Sequence, residues 1–154
     1  MQQPASVPAS SAPRVVRAGA LLGIGVMAAV DEIIFHQLLA WHHFYDGSTA
    51  TIGLLTDGLL HAGELIALAL GGVGLWRLRD TADFSERHAW SGFFLGAGGF
   101  QLFDGLIVHK VLRLHQIRCV DNLLPYDRAW NGAAVCLLLI GLYLRKPLTH
   151  RDRR

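Results

Sequence analysis

The sequence predicts an all-α fold, a four-helix transmembrane bundle built from two repeated helix hairpins. Three observations carry that prediction. Of the 154 residues, 52% are hydrophobic and only 17% charged, with a mean hydropathy of +0.34, a balance that leans towards membrane proteins rather than soluble domains. The apolar residues are gathered into four runs, roughly 18–41, 53–76, 89–112 and 123–144. Each supplies the roughly 20 residues that a helix needs to cross a bilayer core of about 30 Å. Finally, one motif of acids and histidines occurs twice.

Taken in order, residues 1–13, MQQPASVPASSAP, are small, polar and Pro-rich, and are read as a disordered tail. The transmembrane domain then spans 14–146. Its first helix, about 18–41, begins behind Arg14 and Arg17 with ALLGIGVMAAV. A cleavable signal peptide would share those features. The apolar helical pattern continues past Asp31, however, and recurs in mid-chain, so this helix is expected to stay in the protein. The second helix, about 53–76, carries LIALALGGVGLW, without the polar stripe of a soluble amphipathic helix. The third, about 89–112, contains SGFFLGAGGF and the second copy of the motif. The fourth, about 123–144, ends in AAVCLLLIGLYL, and 147–154 form a basic tail.

Orientation follows from Lys and Arg. Arg14, Arg17, Arg77, Arg79, Arg87, Arg145, Lys146, Arg151, Arg153 and Arg154 fall on one side, whereas Lys110, Arg113, Arg118 and Arg128 fall near the other. This excess predicts that both termini and the 77–88 loop are cytoplasmic and that loops 42–54 and 113–127 face outward. Trp41, Trp76, Trp90 and Trp130 stand near segment ends, as interfacial aromatics do. The basic residues do not pool into a nucleic-acid face, so the predicted surroundings are the lipid bilayer and no nucleic acid.

The motif reads DEIIFHQLLAWHHF at 31–44 and DGLIVHKVLRLHQI at 104–117. Asp31 matches Asp104, Ile34 matches Ile107, His36 matches His109, Leu39 matches Leu112 and His42 matches His115. A weaker echo pairs DGLLHAG at 57–63 with DRAWNGA at 127–133, where Asn131 replaces His61. Two hairpins in the same orientation pack around an axis along the membrane normal, and sites collect at their interface. At about 100° per residue, Glu32, His36 and His43 share one helical face, and Asp31 and His42 a second. Asp57, His61 and Glu64 form an i, i+4, i+7 stripe on the second helix. His36, His61 and His109 are then expected near the outer membrane boundary.

Imidazole and carboxylate together are a borderline ligand set that suits zinc, iron or copper(II). The expected ligands are His36, His61 and His109, with Asp31, Asp104 or Glu64 as ligand or supporting partner. Glu32, His42, His43, Asp57 and His115 are alternative ligands or outer partners. A b-type haem between His36 and His109 is the alternative cofactor, and the absence of C-x-x-C-H excludes covalent c-type attachment. Intramembrane carboxylates also mark ion paths, but the cytoplasmic halves of the helices offer no relay. The plainer reading makes Asp57 and Asp127 helix caps, leaves His42, His43 and His115 in interfacial water, and lets Lys110 and Arg113 neutralise Asp104 or Asp121. His88 and His150 are ordinary on either reading. No Ser or Cys nucleophile sits in a recognisable setting, and the sequence does not decide whether the protein is an enzyme.

DEIIFHQLLAWHHFYD, DGLLHA, LGAGGFQLFDGLIVHKVLRLHQIR and LLPYDRAWNGAA closely resemble the bacterial membrane proteins of the domain-of-unknown-function 2243 family. The resemblance covers about residues 18–146. It implies a four-helix integral membrane protein without an assigned activity, in the bacterial cytoplasmic (inner) membrane. His36, His42, His43, His61, His109 and His115 fall on the family's pattern, whereas Glu64 rests on the residue reading alone. Metal handling, maturation of a membrane redox enzyme, or interaction with a membrane protein partner or a second copy are the roles compatible with these features.

Overall fold

A computed structural model describes residues 12–82 and 84–146. Among them the chain is all-helical, with no strand. Helix α1, Ala12–Val30, runs without a break into a π-helical segment, π1, Asp31–Leu38; α2 spans Ala50–Leu78. Helix α3, Glu86–Phe103, likewise continues into π2, Asp104–Leu112, and α4 spans Leu124–Arg145.

The boundaries depart from expectation in two places. Helix α1 starts six residues early, so Ala12 and Pro13 are helical rather than part of a tail. Pro13 is tolerated there because a first-turn N–H has no intrahelical partner. Residues 1–11 and 147–154, expected as tails, lie outside the described residues. The first membrane helix also ends at Leu38, not Trp41. Ala40 takes a φ of 46°, and the N–H groups of Leu39 and Trp41 donate to the carbonyls of Ile34 and Phe35, both at 2.9 Å. The chain therefore turns before His42.

Helices α1 and α3 pack on each other, with α2 against α1 and α4 against α3. Glycines make the central contact. A Cβ on Gly19 or Gly23 would strike the backbone of Ala89 or Phe93, and one on Gly92 or Gly96 would strike that of Val16 or Ala20. The flanking helices close in the same manner. Gly25 meets Leu68 and Gly98 meets Leu138; Gly71 meets Leu22 and Gly141 meets Leu95. Small residues that let backbones approach are how helices associate in lipid, where burial of apolar surface supplies little drive.

Three helices, Ala12–Leu38, Ala50–Leu78 and Glu86–Leu112, are long and apolar enough to cross a membrane. Helix α4 begins with Asp127, Arg128 and Asn131 among its first turns, and only its second half matches the others in apolarity. The burial pattern is turned outward: Leu54, Leu59 and Ile66 are exposed, whereas Asp31, Glu32, Asp57, Glu64 and Asp104 are buried. Such a surface is matched to lipid, and its interior is polar at one end.

Candidate metal centre

The two π-helical segments begin at the two matched aspartates. Winding with i→i+5 hydrogen bonds is rare and is found disproportionately at functional sites. It stacks positions five apart, and here those are Asp31 over His36 and Asp104 over His109. The Asp31 Oδ2 to His36 Nε2 distance is 3.6 Å, and Asp104 Oδ2 to His109 Nε2 is 3.1 Å. Gln37 Nε2 donates to Glu32 Oε1 at 3.0 Å by the same spacing.

The loops after π1 and π2 then fold back over the helix ends. His42 Nδ1 stands 3.0 Å from the carbonyl of Ile117, and His115 Nδ1 stands 2.9 Å from the carbonyl of Phe44. Asp46 N–H ties the loops together by donating to the carbonyl of Leu114 at 3.0 Å. A carbonyl only accepts, so each Nδ1 carries the proton and each Nε2 presents a lone pair. The two rings stack with centroids 4.4 Å apart and planes at 6°. His36 touches both members of the stack, at 4.5 and 5.7 Å. So does His109, at 6.2 and 4.7 Å.

His36 is fixed from behind. Its Nδ1 lies 2.9 Å from Glu32 Oε2 and 3.1 Å from Asp57 Oδ1. Asp57 in turn takes His43 Nδ1 at 2.6 Å and the Phe44 N–H at 2.6 Å. Carboxylates accept, so a His36 proton sits on Nδ1, while Nε2, 3.6 Å from Asp31 Oδ2, has no hydrogen-bond partner among the described residues. Asp57 is therefore an interior partner of the cluster and not a cap; Thr49 caps α2 by accepting from the Ile52 N–H at 3.4 Å.

Every member of the cluster is buried, with Glu32 fully inaccessible and His109 at 1%. Even so, His36 Nε2, His42 Nε2, His115 Nε2, both nitrogens of His109 and Asp104 Oδ2 have no hydrogen-bond partner among the described residues. His109 Nε2 and Asp104 Oδ2 are close but not aligned as donor and acceptor. Unpaired buried polar atoms cost about 1–3 kcal/mol each, so this concentration calls for a compensating group. Donor atoms of His36, His42 and His115 lie within 4.8 Å of one another. The same holds for Asp104, His109 and His115, and for Glu32, His36 and Asp57. His115 belongs to two of the three groups. Burial, reinforced by the imidazoles of His115 and His36, pushes the His42 ring well below the usual imidazole range despite the Ile117 carbonyl. Burial lowers His115 likewise. Both rings are thereby kept neutral, the form that ligates metal.

The structure thus brings His36, His109, Asp31 and Asp104 together around the His42–His115 stack, with Glu32 and Asp57 behind His36. It does not bring His61 and Glu64 to the same point. They form a pair of their own, His61 Nδ1 lying 2.6 Å from Glu64 Oε1, with the His61 side chain 43% exposed. His42 and His115, expected as alternative ligands or as rings in interfacial water, are buried at the centre of the cluster. The signal for them was present, since both copies hold a histidine at that place. Their carbonyl partners, Ile117 and Phe44, carry no side-chain signature and could not be read. His43 flanks the cluster through Asp57. Lys110 neutralises Asp127 at 2.7 Å rather than Asp104 or Asp121. Cys119 and Cys136 are both free and exposed.

A family described as "Predicted membrane protein (DUF2243)" matches residues 18–147. The chain belongs to that family. No curated protein and no solved structure matches it. The stretch that makes this chain a DUF2243 protein includes both π-helical segments, both returning loops and all the buried histidines of the cluster.

Proposed function

We propose that this membrane protein binds a transition metal ion through the buried histidine cluster, with His36, His42, His109, His115 and Asp104 as donors and Asp31, Glu32 and Asp57 behind them. One observation carries the reading: ligand nitrogens of the buried His36, His42 and His115 lie within 4.8 Å of one another, the Nε2 of each has no hydrogen-bond partner among the described residues, and the Nδ1 of each ring is tied back to a carboxylate or carbonyl. That is how a protein orients imidazoles towards a cation and raises their basicity. Neutral imidazoles with a carboxylate suit zinc, iron or copper(II), whereas copper(I) would favour thiolates.

The bundle is read as two hairpins, α1–α2 and α3–α4, related by a pseudo-twofold axis through the His42–His115 stack. The reciprocal glycine contacts and the crossed carbonyl bonds support this. The termini are assigned to the cytoplasm and the cluster to the outer side of a bacterial inner membrane, with α4 completing the spans. The role is metal handling or maturation of a membrane redox enzyme, alone, with a membrane partner or as a homo-oligomer. His36 and His109 both contact the stacked rings of His42 and His115, an arrangement that favours an ion over a b-type haem as the shared ligand.

The test is elemental analysis of tag-free protein purified in detergent and reconstituted with each metal. Near-stoichiometric metal is expected, with loss in both His36→Ala and His42→Ala. Full occupancy in both variants, or none above background in the native protein, overturns the assignment.

A further inference from the structure

A cavity of about 350 Å³ opens on the side of the bundle between α1, α2 and α3. Its walls include Ala28, Phe44, Leu60, Gly63 and Phe100, and Glu64 is its one ionisable lining residue. Three features set it apart from a furrow for an acyl chain. Glu64 is only 3% exposed, and its Oε2 has no hydrogen-bond partner among the described residues. Phe44 and Phe100 offer two aromatic faces. Phe44 also joins the cavity to the metal centre, since its carbonyl holds His115 and its ring lies 6.1 Å from the His115 ring.

The second hairpin supplies a comparison, on the two-hairpin reading proposed above. Where the first has Leu60, Gly63 and Glu64, the second has Trp130, Ala133 and Ala134. Trp130 is buried and Ala134 is fully so. At the matched positions a buried indole stands where the first hairpin has Leu60, and a buried methyl group stands where it has Glu64. A carboxylate is thus not needed there to hold helices together, and an intramembrane acid without a packing role is functional by default.

We propose that this cavity binds the head group of a lipid-soluble hydroquinone, its ring against Phe44 and Phe100 and a hydroxyl donating to Glu64. The ligand must arrive through the bilayer, because the neighbouring surface is Leu59 and other exposed apolar side chains. It must carry a flat, ring-sized group and a hydrogen-bond donor, and it is brought beside a metal-binding histidine. A quinol meets all four conditions, and the volume lies in the range of small-molecule pockets.

The experiment is calorimetric titration of reduced decylubiquinone into the full-length protein, metal-loaded and metal-free, in phosphatidylcholine nanodiscs. Saturable binding at one site is expected. It should be abolished in Leu60→Trp and, by loss of the hydrogen-bond acceptor, weakened about tenfold or more in Glu64→Ala; both variants copy the second hairpin. Metal content should stay unchanged in both. Gly63→Leu is a second blocking variant, because a Cβ there meets nothing within 4 Å and folding should be unaffected. Absence of saturable binding, binding that survives Leu60→Trp and Gly63→Leu, or equal binding of decanol would overturn the proposal. Native protein that takes up no metal above background but still binds the quinol would instead overturn the metal assignment alone.

Discussion

His42 gathers most of the physics of this site into one ring. Its Nδ1 proton is committed to the Ile117 carbonyl and its face to His115, so only Nε2 remains to act. In the unfolded chain the ring takes up a proton near 6.5, and burial among other imidazoles holds it neutral in the folded protein. The unfolded state therefore binds more protons below that pH, and the contribution of His42 to stability is complete above 6.5 and lost as pH falls. In metal-free protein at pH 5, the 15N shifts of selectively labelled His42 should report the neutral Nδ1–H tautomer; an imidazolium would contradict the burial described. Asp57 acts through its neighbours, orienting His36 and holding the Phe44 N–H. Asp57→Asn should weaken metal binding by about 10- to 100-fold, as loss of such supporting carboxylates does elsewhere, measured by competition with a chromophoric chelator. His88→Ala should leave that affinity unchanged.

Helix contacts and helix winding set what those residues can reach. Gly23 of α1 sits against the backbone of Phe93 and Ala97, whereas Gly99 of α3 faces open space. Gly23→Val should cost about 1–3 kcal/mol or more by overpacking, and Gly99→Ala should stay within about 0.5 kcal/mol, both read from unfolding in mixed micelles. The pairing of α1 with α3 was only partly legible in the sequence. The apolar runs announced four helices, but the glycines could equally have made room for a macrocycle. The π-helical segments were not legible at all. Apolar periodicity assumes 3.6 residues per turn, and nothing in DEIIFHQL or DGLIVHKVL announces wider winding. That assumption still placed Glu32 and His36 together, since both windings keep them adjacent. It failed beyond Leu38, where it carried the helix to Trp41 and assigned His42 and His43 to helical faces, although Ala40 turns the chain before them. His61 misled for a related reason: of the stripe Asp57, His61 and Glu64, only Asp57 shares a ligand group with the buried histidines, while His61 and Glu64 face each other.

Over the whole molecule, polar groups collect at one end of a bundle whose flanks are apolar. The proposed topology predicts that a fluorescent protein fused after Arg154 is bright and that alkaline phosphatase fused there is inactive. Phosphatase inserted after Asp46 or Asp121 should be active, and the reverse pattern would turn the cluster to the cytoplasm. The crossed bonds between loops have a further consequence, for timing during synthesis. His42 waits for a carbonyl 75 residues downstream, and both histidine-rich groups contain His115. At roughly 5–20 residues per second, translation leaves the first hairpin alone for about 4–15 s before its partner loop exists. A ribosome-stalled chain ending before Arg113 should therefore leave His42 without its carbonyl and its stacking partner, and open to modification. On the proposed metal assignment, loading through His42 and His115 would belong to the finished, inserted chain, and a half-made protein would not need guarding against the wrong metal at those two rings.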